Sequence, residues 1–185
     1  MKSGNKTISI DDYEFRILAL NSHFDGSELP DYGDRRLHWL ENALEKSDKP
    51  TLIAIHHPPM KTGIEFIDMV GPEWYQGLGE VLSHHPQVQL IICGHGHVDL
   101  YGRLGSIPVY MAGSMAHQLI AGRVIDRAPA FDPSRVPAML HHWLDGSFVS
   151  GYNPWPDWVD ECRIDKSAGL DWEILKDNMR GAMKK

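Results

Sequence analysis

"TLIAIHHPP" (residues 51–59) and "VQLIICGHGHVD" (residues 88–99) decide how this chain folds. Each begins as a short apolar run rich in β-branched residues; the first stops abruptly on His56, the second on Gly94 with two histidines after it. Runs of this length read as strands buried on both faces. The first ends in a turn stiffened by Pro58 and Pro59, the second in His95 and His97 at alternate positions, flanked by Gly94 and Gly96. Strand-like alternation of that kind aims two imidazoles at one region. They can bind two neighbouring ions or chelate one.

Working outward, residues 71–86, "GPEWYQGLGEVLSHHP", lie between the two runs and read as a helix weakened by Gly77 and Gly79. Upstream, "DRRLHWLENALEKS" (34–47) places Leu37, Leu40 and Leu44 on one helical face with Ala43, with Asp34 as the expected N-cap and Pro50 beyond the end. "YEFRILALNS" (13–22) is a third buried strand and "IPVYMAG" (107–113) a fourth, while "SHFDGSELPDYG" (22–33) is a punctuated loop. The order β-α-β-α-β predicts crossover units and parallel pairing. Ligands of such sheets gather beyond the carboxyl ends of the strands, where His56-His57 and His95/His97 both fall. Further on, "VIDRAPAFDPSRVP" (124–137) reads as irregular, and Asp145-Gly146 between "AMLHHW" and "SFVSGY" is a hairpin signal. Residues 154–185 form a separate tail with Trp155, Trp158 and Trp172 and a terminal helix, a candidate packing or oligomerisation segment.

Composition bounds the function. The chain has 185 residues, 42% of them hydrophobic, and a formal net charge of -7. That balance argues against a nucleic-acid polymer or an anionic membrane as partner. Two distant cysteines, no apolar leader and no membrane-length apolar run fit a cytoplasmic setting. Histidine is the outlier, with eleven residues, mostly in clusters. His23, His38, His84, His85, His141 and His142 read as ordinary polar residues. His84-His85 suits a helix C-terminus, where cations offset the dipole. His56, His95 and His97 together read as a metal site, because imidazole is the commonest metal ligand and stiff loops hold it in place.

"HHPP" followed by "IICGHGH" resembles the C-terminal part of the calcineurin-like metallophosphoesterase superfamily, and most closely bacterial class III cyclic-nucleotide phosphodiesterases and glycerophosphodiesterases. "ILALNS", "RRLHWLENAL", "KPTLIAIHHPP" and "MAGSMAHQL" extend the resemblance over about residues 13–155. It implies an α/β fold, the C-terminal half of a four-layer α/β/β/α sandwich occupying residues 1–153, with a β-hairpin and the Trp-rich tail. It also implies two divalent or transition metal ions (Fe, Mn, Zn or Co) that activate water against a small phosphodiester. Carried over by motif, His56 and His95 would bind one metal and His97 the other. His57 would sit behind them or toward substrate, and His117 in "GSMAHQ" near the leaving group, so both are candidate catalytic residues.

The same family supplies Asp-x-His, Gly-Asp-x-x-Asp and Gly-Asn-His motifs from its N-terminal half. Here no Asp is followed two positions later by His, "GDRRL" at Gly33 ends in Leu37, and "GNK" at Gly4 has Lys6 in place of His. The expectation is half of a dinuclear site: a fragment, a split product completed by an N-terminal half or a second copy, or a degenerate binding or assembly module. A metallo-β-lactamase reading of "HGHVDL" has Leu100 where a histidine is required and leaves "HHPP" unexplained.

Overall fold

Every strand in the centre of this chain is a short apolar segment that must be covered on at least one face, and two amphipathic helices supply the cover. A computed structural model of the chain describes residues 7–120, 130–133, 138–152, 171, 173–174 and 176. The chain divides into two compact units, residues 1–153 and 154–185.

In the first unit the elements run β1 (Ile8–Ile10), β2 (Arg16–Leu20), α1 (Asp34–Leu44), β3 (Thr51–Ile55), α2 (Glu65–Asp68), α3 (Glu73–Ser83), β4 (Val88–Cys93), β5 (Leu100–Leu104), β6 (Ile107–Met111), β7 (Gln118–Ile120), β8 (Ala130–Asp132), β9 (Met139–Leu144) and β10 (Ser147–Tyr152). Six strands form one sheet in the order β1-β2-β3-β4-β6-β5. The inner four are parallel, and β1 and β5 close the edges antiparallel. Parallel neighbours require crossovers, and α1 and α3 provide them between β2, β3 and β4. The mixed α/β class expected from the sequence is the one the chain adopts, with the hairpin at Asp145-Gly146 in place as β9–β10.

Leu40 and Leu44 of α1 and Leu78 and Leu82 of α3 pack on Leu18, Ile53, Ile91, Val109 and Met111, all at most 2% exposed. Gly77, counted from sequence as a weakness of α3, lies at the close approach to α1: a Cβ there would meet Leu37 Cδ1 at 2.7 Å, so that side chain would have to move. The opposite face carries Ile17, Ala19, Ile92 and Tyr110, each half-buried. The β9–β10 hairpin covers part of it. Trp143 and Phe148 stack around Phe15, His141 lies edge-on to Tyr110, and Trp143 Nε1 donates to Glu14 Oε2 at 2.9 Å. A cavity of about 430 Å³ remains between Ala54, Ile92, Tyr110 and Met139.

Two expectations change, and one strand is new. Helix α1 begins at Asp34 itself, with Gly33 at the N-cap and no side-chain cap. The stretch 124–137, read as irregular, contains β8, which pairs with β7. β5 was hidden because "LYGRL" alternates weakly and lies on an edge; Gly105, at φ +59°, turns it back into β6. No helix among the described residues is long and apolar enough to cross a membrane.

In the second unit, Asp171 Oδ1 accepts from the backbone N–H groups of Glu173 and Ile174, a helix-start capping pattern. Trp155, Trp158 and Trp172, and with them the packing role expected of the tail, lie outside the described residues.

Candidate metal centre

The four parallel strands all run out at the same end of the sheet, and each is followed by histidine. Asn21-Ser22-His23 follows β2, His56-His57 follows β3, and His95 and His97 follow β4. The loop after β6 leads to His117. Parallel pairing thus converts four separate sequence positions into one neighbourhood.

The loop after β4 is not extended. His95 has φ +67° and His97 φ +48°. Left-handed backbone at a non-glycine residue costs on the order of 1–3 kcal/mol and persists only where surrounding contacts impose it. Those contacts are visible. Gly94 N–H donates to His56 O at 3.0 Å, Gly96 N–H to Gly94 O at 2.8 Å, and Leu119 N–H to His97 O at 3.0 Å. Asp99 Oδ1 accepts from Gly113 N–H at 2.5 Å, and its carboxylate also hydrogen-bonds the Tyr152 hydroxyl. Gly96 is required for bulk, since a Cβ would meet Met111 Cε at 2.7 Å and Ile67 Cδ1 at 2.9 Å. Gly94 is not; nothing lies within 4 Å of a Cβ there. The strand-like alternation read from "GHGH" is therefore replaced by a strained loop that turns its two rings to different partners.

His95 Nδ1 lies 3.1 Å from His56 Nε2, and His97 Nδ1 lies 3.0 Å from His117 Nε2. Two nitrogens each about 2.1 Å from a common ion and subtending an angle near a right angle stand about 3 Å apart, so each pair has the bite of a chelate. Burial lowers the pKa of His56 and of His95, and neighbouring imidazoles, His23 among them, push the same way. Neutral rings keep the lone pairs that a metal needs.

His57 also belongs to the cluster: one ligand atom each from His56, His57 and His95 lie within 4.8 Å of one another. Its ring, 2% exposed, is already committed, however. Nε2 faces the Glu28 carbonyl oxygen at 2.9 Å, which can only accept, so Nε2 carries the proton. Nδ1 then accepts from the hydroxyl of the fully buried Ser22 at 2.8 Å, and the same oxygen takes the His57 backbone N–H at 3.2 Å. Burial, the first cause, holds the His57 pKa down at about 4. Both nitrogens of the His57 ring are thus engaged by the protein, and the ring packs edge-on to His56 and tilted against His95.

Sequence reasoning missed His23 and Ser22. His23 stacks on His56 with ring centroids 5.0 Å apart, its backbone N–H bound to Asn21 Oδ1. The available signal was position, since "NSH" follows a parallel strand as "HHPP" does. His84 caps the end of α3 as expected, and His141 is half-buried on Ser150 Oγ at 2.7 Å.

No family model matches the chain. A protein of Arcobacter nitrofigilis named "probable glycerophosphodiester phosphodiesterase GpdQ" is 32% identical over 149 residues, covering 78% of this chain and 54% of the relative. The glycerophosphodiester phosphodiesterase GpdQ of Enterobacter lignolyticus is 27% identical over 147 residues, 79% of this chain and 52% of the relative. The 3',5'-cyclic adenosine monophosphate phosphodiesterase CpdA of Escherichia coli is 31% identical over 88 residues, 47% of this chain and 32% of the relative. The chain thus spans about half the length, or less, of the curated relatives it matches. Among solved structures, purple acid phosphatase PPD1 from yellow lupin aligns with TM-score 0.45 and 16% identity, over 59% of this chain and 23% of that one.

Proposed function

The chain belongs to the calcineurin-like metallophosphoesterase superfamily, and from that premise we propose that it carries the histidine half of a dinuclear centre for hydrolysis of small phosphodiesters. The observation that supports the reading most is the pairing of His56 with His95 and of His97 with His117 at 3.1 and 3.0 Å. His56 Nε2 and His95 Nδ1 would hold one ion, and His97 Nδ1 the other, with His117 Nε2 beside it. Bound there, divalent or transition metal ions supply a nucleophile at neutral pH and a clamp for phosphoryl oxygens.

The chain's own residues do the rest. Ser22 and the Glu28 carbonyl fix the His57 ring, and that ring fixes the angle between His56 and His95. Asp99, through Gly113 N–H and Tyr152, pins the loop that carries His95 and His97. His57 enters as a positioning residue. His117, once its hydrogen bond to His97 opens, is the group placed to give a proton to a leaving alcohol. Asp99 is hydrogen-bonded to Gly113 N–H and the Tyr152 hydroxyl, and among the described residues it does not join the cluster of candidate ligands at His56, His57 and His95, which disfavours the metallo-β-lactamase reading. The half-open face at Ile17, Ile92 and Tyr110 supports completion by an N-terminal half, whose carboxylates would face the histidines.

The test has two arms. Co²⁺ titration followed by visible absorption should show binding that His95→Ala removes. Hydrolysis of bis(p-nitrophenyl) phosphate should be weak for the chain alone. It should rise when a polypeptide spanning the remaining N-terminal part of the Arcobacter relative is added. Equal Co²⁺ binding by wild type and His95→Ala contradicts the proposal.

A further inference from the structure

A cavity of about 440 Å³ opens directly beside the His56–His95 pair, lined by α2, the start of α3 and the loops after β2 and β3. That volume lies within the range of about 300–1,000 Å³ typical of small-ligand sites. His57 and His95 line it, so it is continuous with the proposed phosphate site. The rest of its wall is mainly apolar, built chiefly from Met60, Phe66, Val70 and Trp74. Part of its polar lining is already hydrogen-bonded to the protein. The Asp68 carboxylate accepts from Thr62 N–H, Thr62 Oγ–H and Gly63 N–H, each at 2.8 Å, and the Glu28 carbonyl from His57.

The cavity is held open. The Asp68 hydrogen bonds, with Gly63 and Gly71 at positive φ, fix the 62–71 segment in a shape that leaves Phe66 49% and Val70 38% exposed. Apolar surface left in water beside a rigid wall has a free-energy cost that a matching ligand removes. Against the apolar part of this wall a glycerol hydroxyl or the edge of a nucleobase would give up water without a replacement partner, whereas an alkyl or aryl group loses nothing; the polar groups of the lining that remain, Lys61, Trp74 and Tyr75, stand among it.

We propose that this cavity holds an apolar substituent of the phosphodiester whose phosphoryl group is presented to His56 and His95. The inference rests on the phosphodiester reading of that site and narrows it to esters with one hydrophobic arm. Lys61, exposed on the lining, adds a positive charge suited to the anionic end of such a molecule.

The test is a series of alkylphosphonates, methyl through octyl, titrated into the whole chain. Binding is followed by ¹H–¹⁵N spectra at the Trp74 indole, with Co²⁺ binding measured in parallel. Affinity should rise about three- to fourfold per added methylene until the cavity is filled. Val70→Asp and Phe66→Asp, both at exposed rim positions, should each flatten that gradient while Co²⁺ affinity is unchanged. No gradient in wild type overturns the proposal, and if Co²⁺ still binds, the histidine reading survives alone. A gradient unaltered in both variants also overturns it, because the chain then sits elsewhere, as on the open sheet face at Tyr110. A gradient lost in the variants without Co²⁺ binding upholds the cavity and removes the metal reading instead.

Discussion

His95 Nδ1 stands 3.1 Å from His56 Nε2, two atoms from loops 39 positions apart. Parallel pairing of β3 with β4 brings the loops together, and the Gly94 N–H to His56 O bond locks them. The arrangement makes the two side chains a unit, and it predicts that they fail as one.

His56→Ala and His95→Ala should each lower affinity for the same ion by more than about 100-fold, the upper range for outer-sphere changes. The double variant should be little worse than either, since residues in one unit are non-additive. His97→Ala should spare that ion and remove a different one. Stoichiometry by elemental analysis after equilibrium dialysis reads each case.

Ser22→Ala removes the partner of a buried imidazole nitrogen. Leaving it unsatisfied costs about 1–3 kcal/mol, so urea unfolding should show that loss although Ser22 contacts no ion.

The His57 ring also sets a pH dependence. Its pKa is about 4 in the fold against an ordinary 6.5. The unfolded chain therefore binds a proton first as pH falls, and the stability present above pH 6.5 is lost progressively toward pH 4. The shift corresponds to a loss on the order of 3 kcal/mol, with His56 and His95 shifted in the same direction. Urea unfolding in the presence of chelator at pH 7, 5.5 and 4.5 measures the slope. His57→Gln should be less stable at pH 7 and have a shallower slope.

The two glycines of "GHGH" should separate. Gly96→Ala drives a methyl into Met111 and Ile67. Overpacking of this kind costs about 1–3 kcal/mol, and it should weaken metal binding with every histidine retained. Gly94→Ala, in open space, should change stability by no more than about 0.5 kcal/mol. Thermal unfolding with Co²⁺ titration of both variants decides it.

Much of the fold was legible because its inner strands are continuous apolar runs and its helices show a clean leucine stripe. β1, β5, β7 and β8 were not, because short strands at an edge or in a two-stranded pair draw their order from a neighbour rather than from their own pattern. Within the site, "HHPP" and "GHGH" announced themselves, and His56, His95, His97 and His117 do come into contact as two pairs. His23 and Ser22 stayed hidden because each is common in loops, and only the register of β2 against β3 makes them neighbours of His56 and His57. The left-handed backbone at His95 and His97 also had no signal in sequence, since tertiary hydrogen bonds impose it.

The central claim is that His56 and His95 share one ion that neither His57 nor Asp99 touches. Anomalous diffraction from crystals of the chain grown with Co²⁺ tests it most directly. The account predicts a peak bonded to His56 Nε2 and His95 Nδ1, with the His57 ring still held by Ser22 and the Glu28 carbonyl. A peak ligated by His57 or Asp99, or saturating Co²⁺ with no peak between His56 and His95, would contradict it.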